Sequence, residues 1–208
     1  MNQQQPKPSN FHRTPVIYES GKHGEQAYDI MSWLSAKKQI IFVDGEITPY
    51  MANCIAGQLI AASSFGSSTI ELMINSPGGC VYSLFTILDA MDLARTSSSG
   101  LTIKTTCIGM AASAAAVLLA HGCKGHRTAS PRSTVMIHSL STGMFGTFPD
   151  LSIAMKQTTA LQNKINNIMH IDTGLSVSEL KEMSDRDCYM DTDEAMSFGF
   201  IDSVKEGF

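Results

Sequence analysis

Long apolar runs are missing from this 208-residue chain: no segment approaches the roughly 18 residues that would mark a membrane-spanning helix. Cysteine occurs five times but never as C-x-x-C, and an odd count without that spacing argues against both a zinc site and a disulfide framework. Cys54, Cys80, Cys107, Cys123 and Cys188 are therefore expected as reduced core thiols of a cytoplasmic protein. Charge is sparse as well. Charged residues make up 16% of the chain, the formal net charge is −4, and the lysines and arginines are scattered. Such a chain offers no basic stripe for phosphates, which sets nucleic acid aside as a partner. Neither G-x-G-x-x-G nor G-x-x-x-x-G-K-[ST] occurs, so a nucleotide site is unsupported. Cys123 and His126, beside His121, come nearest to a metal pair, but no second cluster completes it.

What is present reads as one globular domain. Hydrophobic residues make up 43% of the chain, enough for a substantial core. Residues 1–15, MNQQQPKPSNFHRTP, carry three prolines and lack the apolar centre of a secretory signal; they are expected to be a flexible tail or a removable pro-segment. Beyond them, strands and helices alternate. Ile40 to Val43 is a buried strand closed by Asp44-Gly45. Thr48 and Pro49 then cap and open a helix with Met51, Cys54, Ile55, Leu59 and Ala62 at helical spacing. Ile70, Leu72 and Ile74 alternate up to Ser76-Pro77-Gly78-Gly79, and Val81, Leu84, Phe85, Leu88 and Met91 form the next helix. After a loop at 97–100 come the strand LTIKTTCIG, a helix opening at Gly109, and the strand TVMIHS.

The C-terminal third is mostly helical. Ala154, Thr158, Leu161, Ile165 and Ile168 mark one face of a long helix ended by Gly174. Ser176 and Glu179 form a capping box for a short helix, Thr192 caps another that stops at Gly199, and FIDSV closes the domain. This alternation calls for an α/β fold with a mainly parallel sheet and right-handed crossovers.

Four stretches could carry chemistry. The turns at Asn75–Gly79 and Gly109–Ser113 follow strands and open helices, where backbone N–H groups attract negative charge, including the oxyanion of acyl transfer. They read equally as tight turns whose glycines allow close packing. Ser113 stands alone in a row of small residues; it is either a packing serine or a nucleophile on a strand-to-helix turn, although the G-x-S-x-G motif is absent. His138 ends an apolar strand and competes with His12, His23, His121, His126 and His170 for any role as a base. Asp187, in Asp185-Arg186-Asp187, belongs either to a solvated loop or beside a histidine whose tautomer it would fix.

Order and context narrow these choices. YDIMSWL, INSPGG, TTCIGMAASAAAVLLAHGCKGHR, STVMIHS and SDRDCYMDTDEAMSFGFIDSV together resemble the ClpP family of serine peptidases, over nearly the whole chain. The resemblance implies a crotonase-like α/β spiral of repeated β-β-α units, with a peptidase domain over 16–208 and a protruding helix–strand handle over about 139–173. It implies a Ser113–His138–Asp187 triad, an oxyanion hole from the backbone of Gly78, Gly79 and Ala114, and ring contacts through Arg186 and Asp185. It further implies heptameric rings stacked as a tetradecamer, an AAA+ unfoldase partner, peptide or unfolded protein substrates, and no cofactor for the hydrolysis. The chain departs from the family pattern at Ala114, where a methionine usually follows the serine, at Met73, and from Ser139 to Asp150. A phage capsid-maturation protease, an acyl-CoA hydratase relative and a non-catalytic ring subunit are the competing readings of the same fold; the last two fit poorly with an intact triad.

Overall fold

The computed structural model describes residues 15–21, 24–98 and 100–207. Apart from Pro15, the expected tail at 1–15 lies outside these residues. Val16–Gly21 (β1) and Gly24–Asp29 (β2) pair as an antiparallel hairpin that the hydrophobic pattern did not announce, because its residues are largely exposed. A short helix, Ile30–Trp33 (α1), capped by the Asp29 carboxylate on the Ser32 amide, continues as a wider π-turn to Lys38.

The body of the protein is a seven-stranded sheet. Ile40–Asp44 (β3), Thr69–Ser76 (β4) and Thr102–Ala112 (β5) run parallel, connected by Pro49–Ser64 (α2) and Val81–Ser97 (α3). The expected Thr48 cap and Pro49 first turn are in place. One sheet face, carrying Ile41, Val43, Ile70, Leu72, Ile74 and Ile103, packs against these helices, and each of these side chains is essentially sealed from solvent. Burial of this kind contributes about 1.5–3 kcal/mol per large aliphatic residue.

β5 is the strand on which the molecule divides. Its first half, Thr105–Cys107, pairs with Arg127–Ala129 (β6), which in turn pairs with Ser203–Val204 (β9). Its last residues, Met110–Ala112, pair instead with Thr134–Met136 of β7 (Thr134–Ile137). Ladder hydrogen bonds to β7 thus hold Met110–Ala112 in the strand, where helical composition suggested that a helix had already begun. The helix that follows, Ala114–Ala120 (α4), is correspondingly short, and all seven of its residues are buried. β7 also pairs, antiparallel, with Cys188–Met190 (β8).

The long helix is Phe148–Thr173 (α5), ended by Gly174 as expected. Val177–Met183 (α6) carries the Ser176–Glu179 capping box, while Thr192–Ser197 (α7) is capped by the Asp191 carboxylate, one residue before the expected Thr192. No strand forms from Leu140: residues 138–147 are irregular up to α5, and the Leu140 amide bonds a side chain of α5 in place of a sheet neighbour. The cysteines correct another expectation. Only Cys107 is buried, with burial pushing its thiol up to about 11; Cys54 and Cys80 are exposed, and Cys123 and Cys188 lie between. Cys54 sits on the outer side of α2, whose buried side is Ala52, Ile55, Leu59 and Ala62. No described helix is long and apolar enough to cross a membrane.

A partly buried ion pair ties the late elements to the sheet. Arg127 Nη2 donates to Asp202 Oδ1 at 2.6 Å and its Nε to Oδ2 at 3.0 Å, while Nη1 reaches the carbonyls of Ala120, at the end of α4, and Asp172, near the end of α5. Burial pushes the Asp202 carboxyl up, but hydrogen bonds from the Arg127 side chain and amide, the guanidinium charge and the Gly125 amide outweigh it and hold the group below the usual carboxylate range. The stabilisation is therefore complete above the unfolded value of about 3.9 and is lost as pH falls through the lower folded value. Asp202→Asn should lower the melting temperature at pH 7, and the gap from the parent protein should close as pH drops below about 4, measured by thermal denaturation across pH. A gap that is constant from pH 7 to pH 2 would contradict the pairing.

Candidate active site

Ser113 follows the last residue of β5 and caps α4, with φ 55° and ψ −121°. Positive φ is costly for a residue with a Cβ, and such strain persists only where the surroundings enforce it. Here the Ser113 amide donates to Met136 O of β7 at 2.7 Å, its carbonyl accepts from Ala116 N at 3.0 Å, and α4 behind it is wholly buried. The hydroxyl is thereby turned out of the core toward β7.

Strand register brings its neighbours to it. Ala112 lies beside Met136 and the Ser113 amide bonds the Met136 carbonyl, so β5 ends one residue short of the end of β7, with His138 next after Ile137. Ile137 lies opposite Cys188 in the antiparallel pair, so His138 and Asp187, one step further, face each other. His138 Nε2 is 2.9 Å from Ser113 Oγ, and His138 Nδ1 is 3.4 Å from Asp187 Oδ1. The second distance is at the outer edge of hydrogen bonding. The Asp187 side chain is also 59% exposed, against 28% for His138. A carboxylate opposite Nδ1 favours the tautomer with its proton there, leaving the Nε2 lone pair toward the serine hydroxyl. Among the described histidines, His121, His126, His138 and His170, it is His138 that contacts Ser113. His121 instead bridges Asp172 (2.8 Å) and Asp92 (3.2 Å) at the far end of α4.

The Gly78-Gly79 turn presses on the start of α4. A Cβ on Gly78 would sit 2.6 Å from Ala112 O and 2.8 Å from Ser113 Cβ, and one on Gly79 would sit 2.5 Å from Ile47 O, so glycine is required at both. The turn is pinned from the other side, since Ile47 N donates to Gly78 O and Cys80 N to Ile47 O. The three expected oxyanion donors are not equivalent. The Gly78 N–H is already taken by Ser76 Oγ at 3.1 Å, and that hydroxyl donates to Gly45 O at 2.6 Å. Among the described residues, the Gly79 and Ala114 N–H groups have no acceptor.

Beside the serine lies a pocket with a mainly apolar lining: Val81, Val117, Ile137, Leu140, Ile165 and Met169, with Ser113, Ala114 and His138 at one end and Gln162 as a polar wall residue. Of the other lining residues, Val81 and Ile165 were legible only as apolar positions of helices, and Met169, one turn beyond Ile165 on α5, was not singled out. Asp185 and Arg186 are exposed and, with Ser139, Ser184 and Asp187, line a polar cleft on the outer side of His138.

The family profile described as Clp protease matches residues 22–207. The chain belongs to the Clp protease family. Among its relatives, the ATP-dependent Clp protease proteolytic subunit 2 of Bacillus licheniformis is 39% identical over 191 residues, covering 91% of this chain and 97% of that protein. The mixed α/β architecture agrees with the Clp protease fold, and the chain is a serine-type protease of that family.

The backbone at position 113 generates a test. In Ser113→Ala the new side chain must still hold positive φ, whereas Ser113→Gly does so freely. Ser113→Gly is therefore expected to be more stable than Ser113→Ala by about 1 kcal/mol, after allowing for the entropy of glycine in the unfolded chain. Urea unfolding midpoints of the two variants measure this, and an alanine variant as stable as the glycine variant would show that the turn is not strained.

Proposed function

We propose that this chain is the peptide-cleaving subunit of a ring-shaped, ATP-dependent protease, with Ser113 as nucleophile, His138 as general base and then acid, and Asp187 as the orienting carboxylate. The observation that carries this reading is the 2.9 Å approach of Ser113 Oγ to His138 Nε2 at the end of an apolar pocket. Ser113 Oγ attacks the scissile carbonyl as its proton passes to Nε2. The developing oxyanion is received by the Gly79 and Ala114 N–H groups, with Gly78 serving as the close-packed base of the turn. Collapse of the intermediate breaks the C–N bond, and the Nε2 proton goes to the leaving amine. Water, deprotonated by the same nitrogen, then releases the acyl group and restores the serine. No cofactor takes part in these steps.

The exposure of Asp187 and its long contact to His138 support a dependence on assembly. Arg186 and Asp185 project beside it, where a neighbouring subunit of a heptameric ring would engage them and tighten the His138–Asp187 contact. Two such rings stacked as a tetradecamer would enclose the sites, with α5 and the segment from Ser139 forming the handle between them. An AAA+ unfoldase would feed unfolded chains to this cytoplasmic chamber; short peptides would enter unaided.

A fluorophosphonate should label the protein on Ser113, and Ser113→Ala should abolish labelling; equal labelling of the variant would remove Ser113 as nucleophile. Native mass spectrometry should give multiples of seven subunits, and Arg186→Ala should shift the population toward smaller species with lower peptidase activity. An active, stable monomer would overturn the ring reading.

A further inference from the structure

The chain between His138 and α5 has few anchors, and two of them are adjacent amides. Ser139 N donates to Ser184 O at 2.8 Å, and Leu140 N donates to Gln162 Oε1 at 2.7 Å. Leu140 packs against the core and walls the pocket beside Ser113, while its backbone joins no strand. The Gln162 carboxamide is therefore what keeps this wall against α5. Its other end is also held, since Gln162 Nε2 donates to Asn166 Oδ1 at 2.9 Å one turn further along the helix. Asn166 is 1% exposed, and its Nδ2 has no partner among the described residues. The buried amide thus spends its acceptor on Gln162 and leaves its donor unused, an arrangement with a cost unless holding Gln162 in place serves a purpose.

We propose that Gln162 is a specificity-positioning residue: by gripping the Leu140 amide it sets the width of the pocket that takes an apolar substrate side chain beside the scissile bond. Gln162 touches neither the reacting carbonyl nor the serine. It acts through Leu140, so its loss should weaken binding of a bulky apolar side chain more than it slows the chemical step. The inference rests on Ser113 being the nucleophile.

Two substitutions separate the hydrogen bond from mere bulk. Gln162→Met keeps the volume and removes both bonds. Gln162→Glu keeps an acceptor for Leu140 N, and Asn166 can turn its unused Nδ2 toward the second carboxylate oxygen. Steady-state cleavage of short chromogenic peptides with leucine at the cleaved position is measured on the full chain, with native mass spectrometry to verify assembly. Gln162→Met should raise KM by about fivefold, the scale of one neutral hydrogen bond, with a smaller change in kcat. Gln162→Glu should return KM to within about twofold of the parent, a partial restoration on the same scale. Gln157→Ala on the same helix, which loses only an exposed bond to Tyr82 Oη, serves as the control and should leave KM unchanged. If the methionine variant does not assemble, Gln162→Asn, one methylene too short to reach Leu140, is read in its place. A methionine variant with the parent KM, or a glutamate variant no better than methionine, overturns the proposal. Fluorophosphonate labelling in the same samples separates the two readings. Absence of Ser113 labelling in the parent protein overturns both, whereas normal labelling with unmoved KM counts against Gln162 alone.

Discussion

Everything at the site depends on the fork of β5. One strand leaves β6 as partner and takes up β7, and from that point three strand ends are brought together by hydrogen-bond register: Ala112 beside Met136, Ile137 across from Cys188. Ser113, His138 and Asp187 are the residues next in line. Because side chains alternate along a strand, a slip of one residue between β7 and β8 would turn His138 away from Asp187. The ladder thus does more to assemble these groups than any direct bond among them, which fits a contact of 3.4 Å between two partly exposed side chains.

The other end of α4 is held with comparable care. His121 caps it between two carboxylates, Arg95 donates to the His121 carbonyl, and Arg127 reaches the Ala120 carbonyl while gripping Asp202. A helix of two turns has little stability of its own. Fastening its C-terminal carbonyls to side chains of α3, β6 and, through Thr105 Oγ1 on the Leu119 carbonyl, β5 fixes its axis, and with it the direction of the Ala114 N–H at the opposite end.

Much of the architecture was legible in the sequence. The Thr48, Pro49, Gly174 and Ser176–Glu179 signals act through local backbone chemistry, and they hold. The site residues were legible as candidates; only the family resemblance ordered them, since nothing in the composition of STVMIHS distinguishes His138 from five other histidines. What stayed hidden was non-local. The β5 extension through Met110–Ala112 is imposed by pairing with β7, against a run of small residues that suits a helix as well. Gly78 could not be told from Gly79 as a donor, because the difference lies in where the Ser76 hydroxyl points. The Leu140–Gln162 bond joins residues whose chemistry gives no hint of each other, and core thiols were inferred for cysteines that lie mostly nearer the surface.

The burial of all seven residues of α4 has a consequence for how such a protein can diversify. Along that bank of the cleft almost any change in side-chain size would disturb the core before it altered recognition, so variation there is closed off. The opposite bank is built from α5, whose Ile165 and Met169 are buried, and from Gln162 and the irregular segment after His138, which are more open to solvent and held by a few side-chain bonds. Substitutions at Gln162 or in the segment after His138 touch fewer core residues than substitutions in α4. The two sides of one groove are in this sense under different rules of change, one constrained throughout by packing and the other so constrained only at Ile165 and Met169.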